Sequence, residues 1–257
     1  MLPFWLSIGV LSLVQASLVA LPRAPLVPLL GRIGGRWWAL VLPLSILVVI
    51  SAVALDSATA DFLTYLALVT VPPLAALALG WLIRGARPSY AVAVIPLFAL
   101  AWAARGALGG QTAALVLSAL ACLTLGWLIA GLVPHRWLKL GIYAMAAVDV
   151  YLVAGDLLQG PNAVLNTAAP AAGLPRLQLA HFGSALMGFG DFFVAATLGA
   201  LLASYGRRTQ LQGAVLAAIL CVSFDLLFFA VDELPATVPI ALTLALLELS
   251  RRDARAA

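Results

Sequence analysis

The chain has 257 residues, of which 64% are hydrophobic and 9% are charged, with a formal net charge of +4. A soluble domain of this size carries about a quarter charged residues, so this composition excludes an ordinary water-facing surface. We therefore interpret the chain as an all-α, multi-pass integral membrane protein whose helices contact the lipid bilayer.

Taken in chain order, the apolar runs predict nine transmembrane helices, because a membrane-spanning helix needs about 20 mainly apolar residues. No basic residue precedes the first run, and Arg23, Arg32 and Arg36 follow it. We therefore expect this run to remain in the membrane and not to be a cleaved signal peptide. The long connection 159–179 is rich in Pro, Gly and Asn and predicts a loop. The nine predicted segments are 3–22, 37–56, 62–83, 89–104, 112–133, 137–158, 180–205, 211–231 and 235–250.

The positive charges alternate between successive loops. All of the 14 Lys and Arg residues except Arg105 and Arg176 fall in loops 1–2, 3–4, 5–6 and 7–8 or in the tail. Positive residues favour the cytoplasmic side of a membrane, so the pattern predicts an outer N-terminus, a cytoplasmic C-terminus and an outer loop 6–7. The net charge is thus a topology signal and gives no indication of nucleic-acid binding.

Three aspartates fall inside the apolar segments: Asp149, Asp191 and Asp225. A carboxylate near the bilayer centre costs about 2.5–3.5 kcal/mol on insertion scales, so such residues are functional candidates. Asp149 and Asp191 fall near the middle of the sixth and seventh segments, where consecutive antiparallel helices bring them to the same height. Asp225 falls about 9 Å inside the outer end of the eighth segment, at a rise of 1.5 Å per residue.

No lysine or arginine inside the membrane is available to pair with Asp149 or Asp191, and two facing carboxyls solve this problem by sharing one proton. In aspartic proteases the charged member of such a pair activates water, while the neutral member donates a proton to the scissile carbonyl. Two other roles fit the same aspartates. One is hydrogen bonding within the helix bundle, and the other is lining a proton or cation pathway. A lipid phosphotransferase is disfavoured, because Asp149 and Asp156 alone do not make a divalent-metal site. We expect no metal, no cofactor and no disulfide framework.

The sequence GFGD at 188–191 resembles the GxGD signature of the presenilin and signal peptide peptidase family of intramembrane aspartyl proteases. In that family the second aspartate lies on the preceding helix after a tyrosine. Asp149 matches it, with Val148 in place of the tyrosine. A third motif, Pro-Ala-Leu, opens the ninth helix of the family, and residues 235–237 here read Pro-Ala-Thr. The resemblance covers about 137–250.

The resemblance implies a presenilin-like bundle with one membrane domain, in which 1–136 form a five-helix scaffold and 137–257 form the catalytic half. It implies that Asp149 and Asp191 hydrolyse peptide bonds within transmembrane helices. With the orientation above, we expect substrates with cytoplasmic N-termini, such as remnant signal peptides or type II anchors. It also implies a set of substrate-binding residues: Gly188, Phe189, Gly190, Pro235, Ala236 and Thr237.

Two other functions stay open at this point. A proton-coupled transporter or channel would use the intramembrane aspartates as a relay, although such proteins often carry paired repeats in both halves. A purely structural membrane subunit would need none of them for chemistry. The oligomeric state is not specified by any of these patterns.

Overall fold

The computed structural model describes residues 2–25, 33–56, 58–168, 170 and 173–256, with 252–256 described by their backbone alone. Arg32, one of the predicted cytoplasmic residues, lies outside these ranges. The described chain is mostly α-helical. Its α-helices are α1 (Phe4–Ala20), α2 (Val41–Leu55), α3 (Ala58–Leu77), α4 (Val94–Ala103), α5 (Leu108–Leu132), α6 (His135–Ala154), α7 (Gln159–Thr167), α8 (Phe189–Ser204), α9 (Arg207–Asp225) and α10 (Val238–Ala256).

Several helices continue into tighter or wider turns that lengthen them. Within the described ranges, five helical stretches are long and apolar enough to cross a membrane: Arg36–Leu55, Ala58–Leu82, Leu108–Leu132, His135–Ala154 and Arg207–Phe229. Three shorter apolar helices accompany them: Phe4–Ala20, Pro88–Ala103 and Phe189–Ser204. Each of the nine predicted segments overlaps a helix, but a count of nine spans stays a prediction.

The start of the predicted seventh helix is wrong. An antiparallel hairpin precedes it, with β1 (Leu179–Phe182) paired to β2 (Ala185–Gly188), and α8 begins only at Phe189. Apolar composition alone does not distinguish a buried strand from a buried helix, which is why the all-α prediction fails at this point. Asp191 therefore lies in the first turn of α8 and not near the middle of a helix.

The prediction of a loop throughout 159–179 is also wrong in part, because α7 begins at Gln159. Pro161 is the third residue of this helix. A proline is tolerated in the first turn of a helix, where its missing N–H has no intrahelical acceptor. The Pro and Gly content of the segment therefore positions the beginning of a short helix instead of preventing one.

Helix α8 is the central helix of the bundle. All of its residues from Phe192 to Ala203 are buried, and it packs against α5 and α1. The backbones approach closely at two glycines. A Cβ at Gly126 would lie 2.6 Å from the backbone nitrogen of Thr197, and one at Gly199 would lie 2.5 Å from the carbonyl oxygen of Leu18. Small residues at such crossings are typical of helix packing in membranes. The halves 1–136 and 137–257 thus share one continuous core.

The described parts of the loops predicted to be cytoplasmic lie at one end of the bundle. An antiparallel bridge between Pro22 and Ile83 joins the segments that follow α1 and α3. At the same end, Lys139 of α6 and Arg251 of α10 both lie over the ring of Tyr205, between α8 and α9. Acidic residues gather at the opposite end, where three carboxylates lie close together: Asp156, Asp232 and Glu233. The side of the membrane on which each end lies stays a prediction.

Candidate functional site

A cavity of about 820 Å³ lies between α1, α2, α3, α6, α8 and the β-hairpin. Asp149 of α6 and Asp191 of α8 both line it and lie close enough for their carboxylates to interact electrostatically. Asp149 is in the second half of α6, and Asp191 is in the first turn of α8. The structure thus brings together the two aspartates paired from the sequence, and Asp191 lies at the beginning of its helix instead of near the middle.

Asp149 is held by Thr237, which stands at the position where the motif of the resembled family has leucine. Oδ2 of Asp149 accepts a hydrogen bond of 2.6 Å from the Thr237 hydroxyl and one of 3.2 Å from the Thr237 backbone N–H. Asp149 is 5% exposed and Thr237 is fully buried. Because a buried carboxylate needs hydrogen-bond donors, Thr237 both stabilises and orients this side chain.

Asp191 is held by the residue that precedes its own helix. Oδ2 of Asp191 accepts a hydrogen bond of 3.0 Å from the backbone N–H of Gly188. A carboxylate that reaches back to the N-cap residue in this way satisfies an N–H that the helix itself leaves unpaired, and the helix dipole favours negative charge there. The GxGD spacing therefore has a local structural role, because it places the carboxylate three residues after the N-cap.

Each carboxylate keeps one oxygen that the protein does not hold. Among the described residues, no donor reaches Oδ1 of Asp149 or Oδ1 of Asp191. The buried side-chain polar atoms without a partner in this part of the chain are Trp127 Nε1 and Gln178 Oε1, so neither Oδ1 atom is sealed in the protein interior. Since both side chains line the cavity, these are the carboxylate oxygens left to interact with a molecule there.

The predicted substrate-binding residues divide into two groups. Those that line the cavity are Gly188, Phe189, Gly190 and Ala236. Pro235 and Thr237 do not line it. Thr237 lies behind Asp149 and is linked to the site by its hydrogen bonds to that carboxylate. Pro235 lies at the turn that leads into α10, where its carbonyl accepts a hydrogen bond from the N–H of Val238 at 3.1 Å.

Gln15 of α1 connects the two halves of the site, and sequence reasoning missed it. Its Nε2 donates to the carbonyl of Ala236 at 2.9 Å and to the carbonyl of Asp191 at 3.3 Å. Its Oε1 accepts from Cys221 Sγ at 3.5 Å. Gln15 is 1% exposed, and a buried amide requires such partners. A lone glutamine in an apolar helix was the available signal for this contact.

Asp225 is a third carboxylate of the same cavity. It is the last residue of α9, and its Oδ2 accepts a hydrogen bond of 2.8 Å from Ser12 Oγ of α1. A 3₁₀ turn at Leu226–Phe229 continues the helical stretch beyond Asp225, whose depth in the membrane stays a prediction. Asp225 lines the same cavity as Asp149, and it does so from α9, a helix whose proximity to Asp149 was not predicted from the sequence.

The cavity reaches the loop that precedes α10, where Asp232 and Glu233 line it. Partial burial, followed by the nearby carboxylates of Asp156 and Asp232, raises the pKa of Glu233. These groups give this end of the cavity a polar character that favours water. Across the described ranges, no group of three or more His, Cys, Asp and Glu side chains is arranged to hold a metal ion.

Comparisons of the chain with family models, with curated proteins and with solved structures give no match. The resemblance therefore depends on three short stretches, which are 188–191, Asp149 with its neighbours, and 235–237. Because function is a property of a site and not of a fold, the function proposed below is inferred from the geometry around Asp149 and Asp191.

Proposed function

We propose that the protein is a membrane-embedded aspartyl protease that uses Asp149 and Asp191 to hydrolyse a peptide bond within a transmembrane helix. One observation carries this proposal. Both carboxylates line one cavity, each with Oδ2 held by a protein donor and Oδ1 free. A pair of carboxyls arranged in this way supplies the one base and the one acid that general acid–base hydrolysis requires.

The chemistry follows from the proximity of two like charges. Two neighbouring carboxyls favour the state in which they share one proton. The charged member accepts a proton from water as the water oxygen attacks the scissile carbonyl carbon, and the neutral member protonates the carbonyl oxygen. When the tetrahedral intermediate collapses, the C–N bond breaks and the amine leaves with a proton from the acid that was formed in the first step. One hydroxyl of the intermediate gives its proton to the other carboxylate, so the product is a carboxylic acid and the pair again holds one proton.

The β-hairpin supports a proposal for how the substrate is held. Within the described residues β2 pairs with β1 alone, and its residues line the cavity beside Asp191. An extended peptide that adds to the free edge of β2 would present its backbone to the two aspartates. Hydrolysis of a helical substrate requires such unwinding, because a helical peptide bond is enclosed by its own hydrogen bonds.

The charge distribution supports the proposed orientation. Basic residues lie at the end of the bundle where α1 finishes, and acidic residues lie at the end where α6 finishes. With the basic end in the cytoplasm, nine spans place the N-terminus outside and loop 6–7 outside. The substrates that fit this direction have cytoplasmic N-termini, such as remnant signal peptides or type II anchors.

Asp225 favours a second candidate, a proton pathway through the membrane. It lines the same cavity as Asp149 and Asp191, so three carboxylates share one cavity. In a transporter or channel these groups would exchange protons in sequence without breaking a peptide bond.

Reconstitution of the purified chain into liposomes distinguishes the two functions. Mass spectrometry of a co-reconstituted transmembrane peptide measures hydrolysis, and a pH-sensitive dye inside the liposomes measures proton entry. We expect peptide fragments that require the protein and no proton entry above that of empty liposomes. Proton entry without fragments from peptides inserted in either direction would overturn the protease proposal and favour the pathway.

The two glycines of the GFGD motif are expected to differ in their tolerance of a methyl group. A Cβ at Gly188 would lie 3.0 Å from Oδ2 of Asp191, whereas one at Gly190 would meet only the flexible end of Met145 at 3.3 Å. We therefore expect Gly188→Ala to lower the initial rate of peptide cleavage about tenfold, because it displaces the carboxylate. Gly190→Ala leaves the carboxylate of Asp191 in place and should lower the rate less than Gly188→Ala does. Equal losses in both variants would contradict this explanation.

A further inference from the structure

Two arginines converge on one neutral side chain at the end of the bundle opposite the acidic residues. Arg84 follows α3 and donates from Nε and Nη2 to Oε1 of Gln210, at 3.1 and 2.9 Å. Arg207 begins α9 and donates from Nη1 to the same oxygen at 3.1 Å. Because the two guanidinium groups share one acceptor atom, their nitrogens lie within two hydrogen-bond lengths of each other.

Gln210 is held in place by the surrounding backbone. It is fully buried, and its Nε2 donates to the carbonyl of Pro22 at 2.9 Å and to that of Gly199 at 3.3 Å. Pro22 in turn forms the backbone bridge to Ile83, beside Arg84. Both exposed arginines are thus hydrogen-bonded to a side chain that is buried where α1, α3, α8 and α9 meet.

The positive charge at this junction has no acidic partner. Among the residues that the structure describes, neither Arg84 nor Arg207 forms an ion pair with Asp or Glu, and neither does the neighbouring Arg23. Partial burial, and then the charges of Arg207 and Arg23, lower the pKa of Arg84 from its ordinary value. Converging cations repel one another, so an arrangement of this kind is stabilised by an anion.

The donors that remain are suited to a phosphate group. Arg84 keeps Nη1, and Arg207 keeps Nε and Nη2, without an acceptor in the described part of the chain. Planar guanidinium groups bind phosphate oxygens through pairs of parallel hydrogen bonds, which a single ammonium group does not provide. Both arginines are largely exposed, so a ligand reaches these donors from outside the bundle.

We infer that Arg84, Arg207 and Arg23 form a binding site for a phosphate-bearing anion, with Gln210 as the group that positions the arginines. The site lies just beyond Ala58–Leu82, one of the stretches long enough to span a membrane, which is the level of lipid headgroups. An anionic phospholipid and a free phosphate present the same chemistry to these donors. The inference does not depend on the proposed protease activity.

The test measures binding of two probes to the purified full-length chain in a neutral detergent. Short-chain phosphatidylglycerol and inorganic phosphate are titrated separately, with chloride at matched ionic strength as reference, and the rise in the thermal-unfolding midpoint gives an apparent Kd. We expect Arg84→Gln and Arg207→Gln each to weaken binding about tenfold, because each removes charge-assisted hydrogen bonds to the anion. Arg208→Gln, at the adjacent position on α9, is the matched control and should leave Kd within about twofold.

The outcomes separate the two sources of phosphate. Binding of phosphatidylglycerol alone identifies a lipid headgroup, and binding of inorganic phosphate as well identifies a site that accepts free phosphate. Either result supports the inference if it is lost in Arg84→Gln or Arg207→Gln. Absence of binding by both probes would overturn it. An equal loss in Arg208→Gln would overturn it too, because binding would then reflect diffuse positive charge.

Discussion

Asp149→Asn and Asp191→Asn are each expected to lower cleavage of a transmembrane peptide by at least about 1,000-fold. Asparagine has nearly the shape of aspartate but neither accepts a proton from water nor donates one as an acid. Each change leaves the cavity wall intact and removes one half of the pair. The measurement is the single-turnover rate of peptide hydrolysis in liposomes, with the thermal-unfolding midpoint recorded to confirm that each variant is folded.

The double variant and a third aspartate supply the controls for this result. If the two carboxyls act as one unit, Asp149→Asn with Asp191→Asn should be no slower than either single variant, because the losses of such groups are not additive. Asp225→Asn should retain cleavage within about threefold, since Asp225 pairs with Ser12 and has no role in the proposed hydrolysis. Full cleavage by folded Asp149→Asn or Asp191→Asn would exclude the pair as the catalytic group.

Thr237→Val is expected to lower cleavage about 10- to 100-fold, the effect of removing one hydrogen bond to a charged group. Valine has the shape of threonine, so the core packing around α10 is preserved. The hydroxyl that lies 2.6 Å from Oδ2 of Asp149 is lost, and the longer backbone bond of 3.2 Å remains. Asp149 then has less support for its charged form and more freedom of orientation.

Two matched variants isolate the contribution of this hydroxyl. Thr237→Ser keeps the donor and should retain most of the cleavage rate. Thr243→Val removes a buried hydroxyl from the same helix, where it donates only to the carbonyl of Pro239, and should leave the rate nearly unchanged. If Thr237→Ser loses as much activity as Thr237→Val, the hydrogen bond to Asp149 is not the cause.

The contact of Thr237 with Asp149 gives a physical meaning to the departure from the family motif. A leucine at this position would offer Asp149 only the backbone N–H, whereas threonine adds a second donor. Thr237→Leu, which restores the Pro-Ala-Leu sequence, should therefore slow cleavage as Thr237→Val does. Val148, the other departure, is a partly buried apolar neighbour of Asp149 and supplies no side-chain donor.

The sequence by itself predicted the helices and the pair of aspartates. Long apolar runs are sufficient for helix assignment, because a backbone in an apolar environment must satisfy its own hydrogen bonds. The scarcity of intramembrane charges made Asp149 and Asp191 conspicuous, and their position on successive segments indicated that they meet. These inferences depend on local composition and chain order, which a single sequence contains.

The sequence did not predict how the two aspartates are held or where their helices end. The apolar run around 179–188 fits a strand as well as a helix, and only its pairing as β1 and β2 decides between them. Hydropathy also does not identify partners. Gln15 contacts Asp191, which is 176 positions later in the chain, and this contact follows from the packing of α1 beside α8.

Tertiary structure alone likewise brought Arg84, Arg207 and Gln210 together. In the sequence, Arg84 and Arg207 are signals of topology, because hydropathy places each of them beyond the end of an apolar run. Their meeting on one glutamine oxygen depends on how α1, α3, α8 and α9 converge. Composition and order thus determined which residues are costly to place in a membrane, while packing determined which of them share a site. The physical reason is that hydropathy is a property of each residue, whereas contact is a property of pairs that lie far apart in the chain.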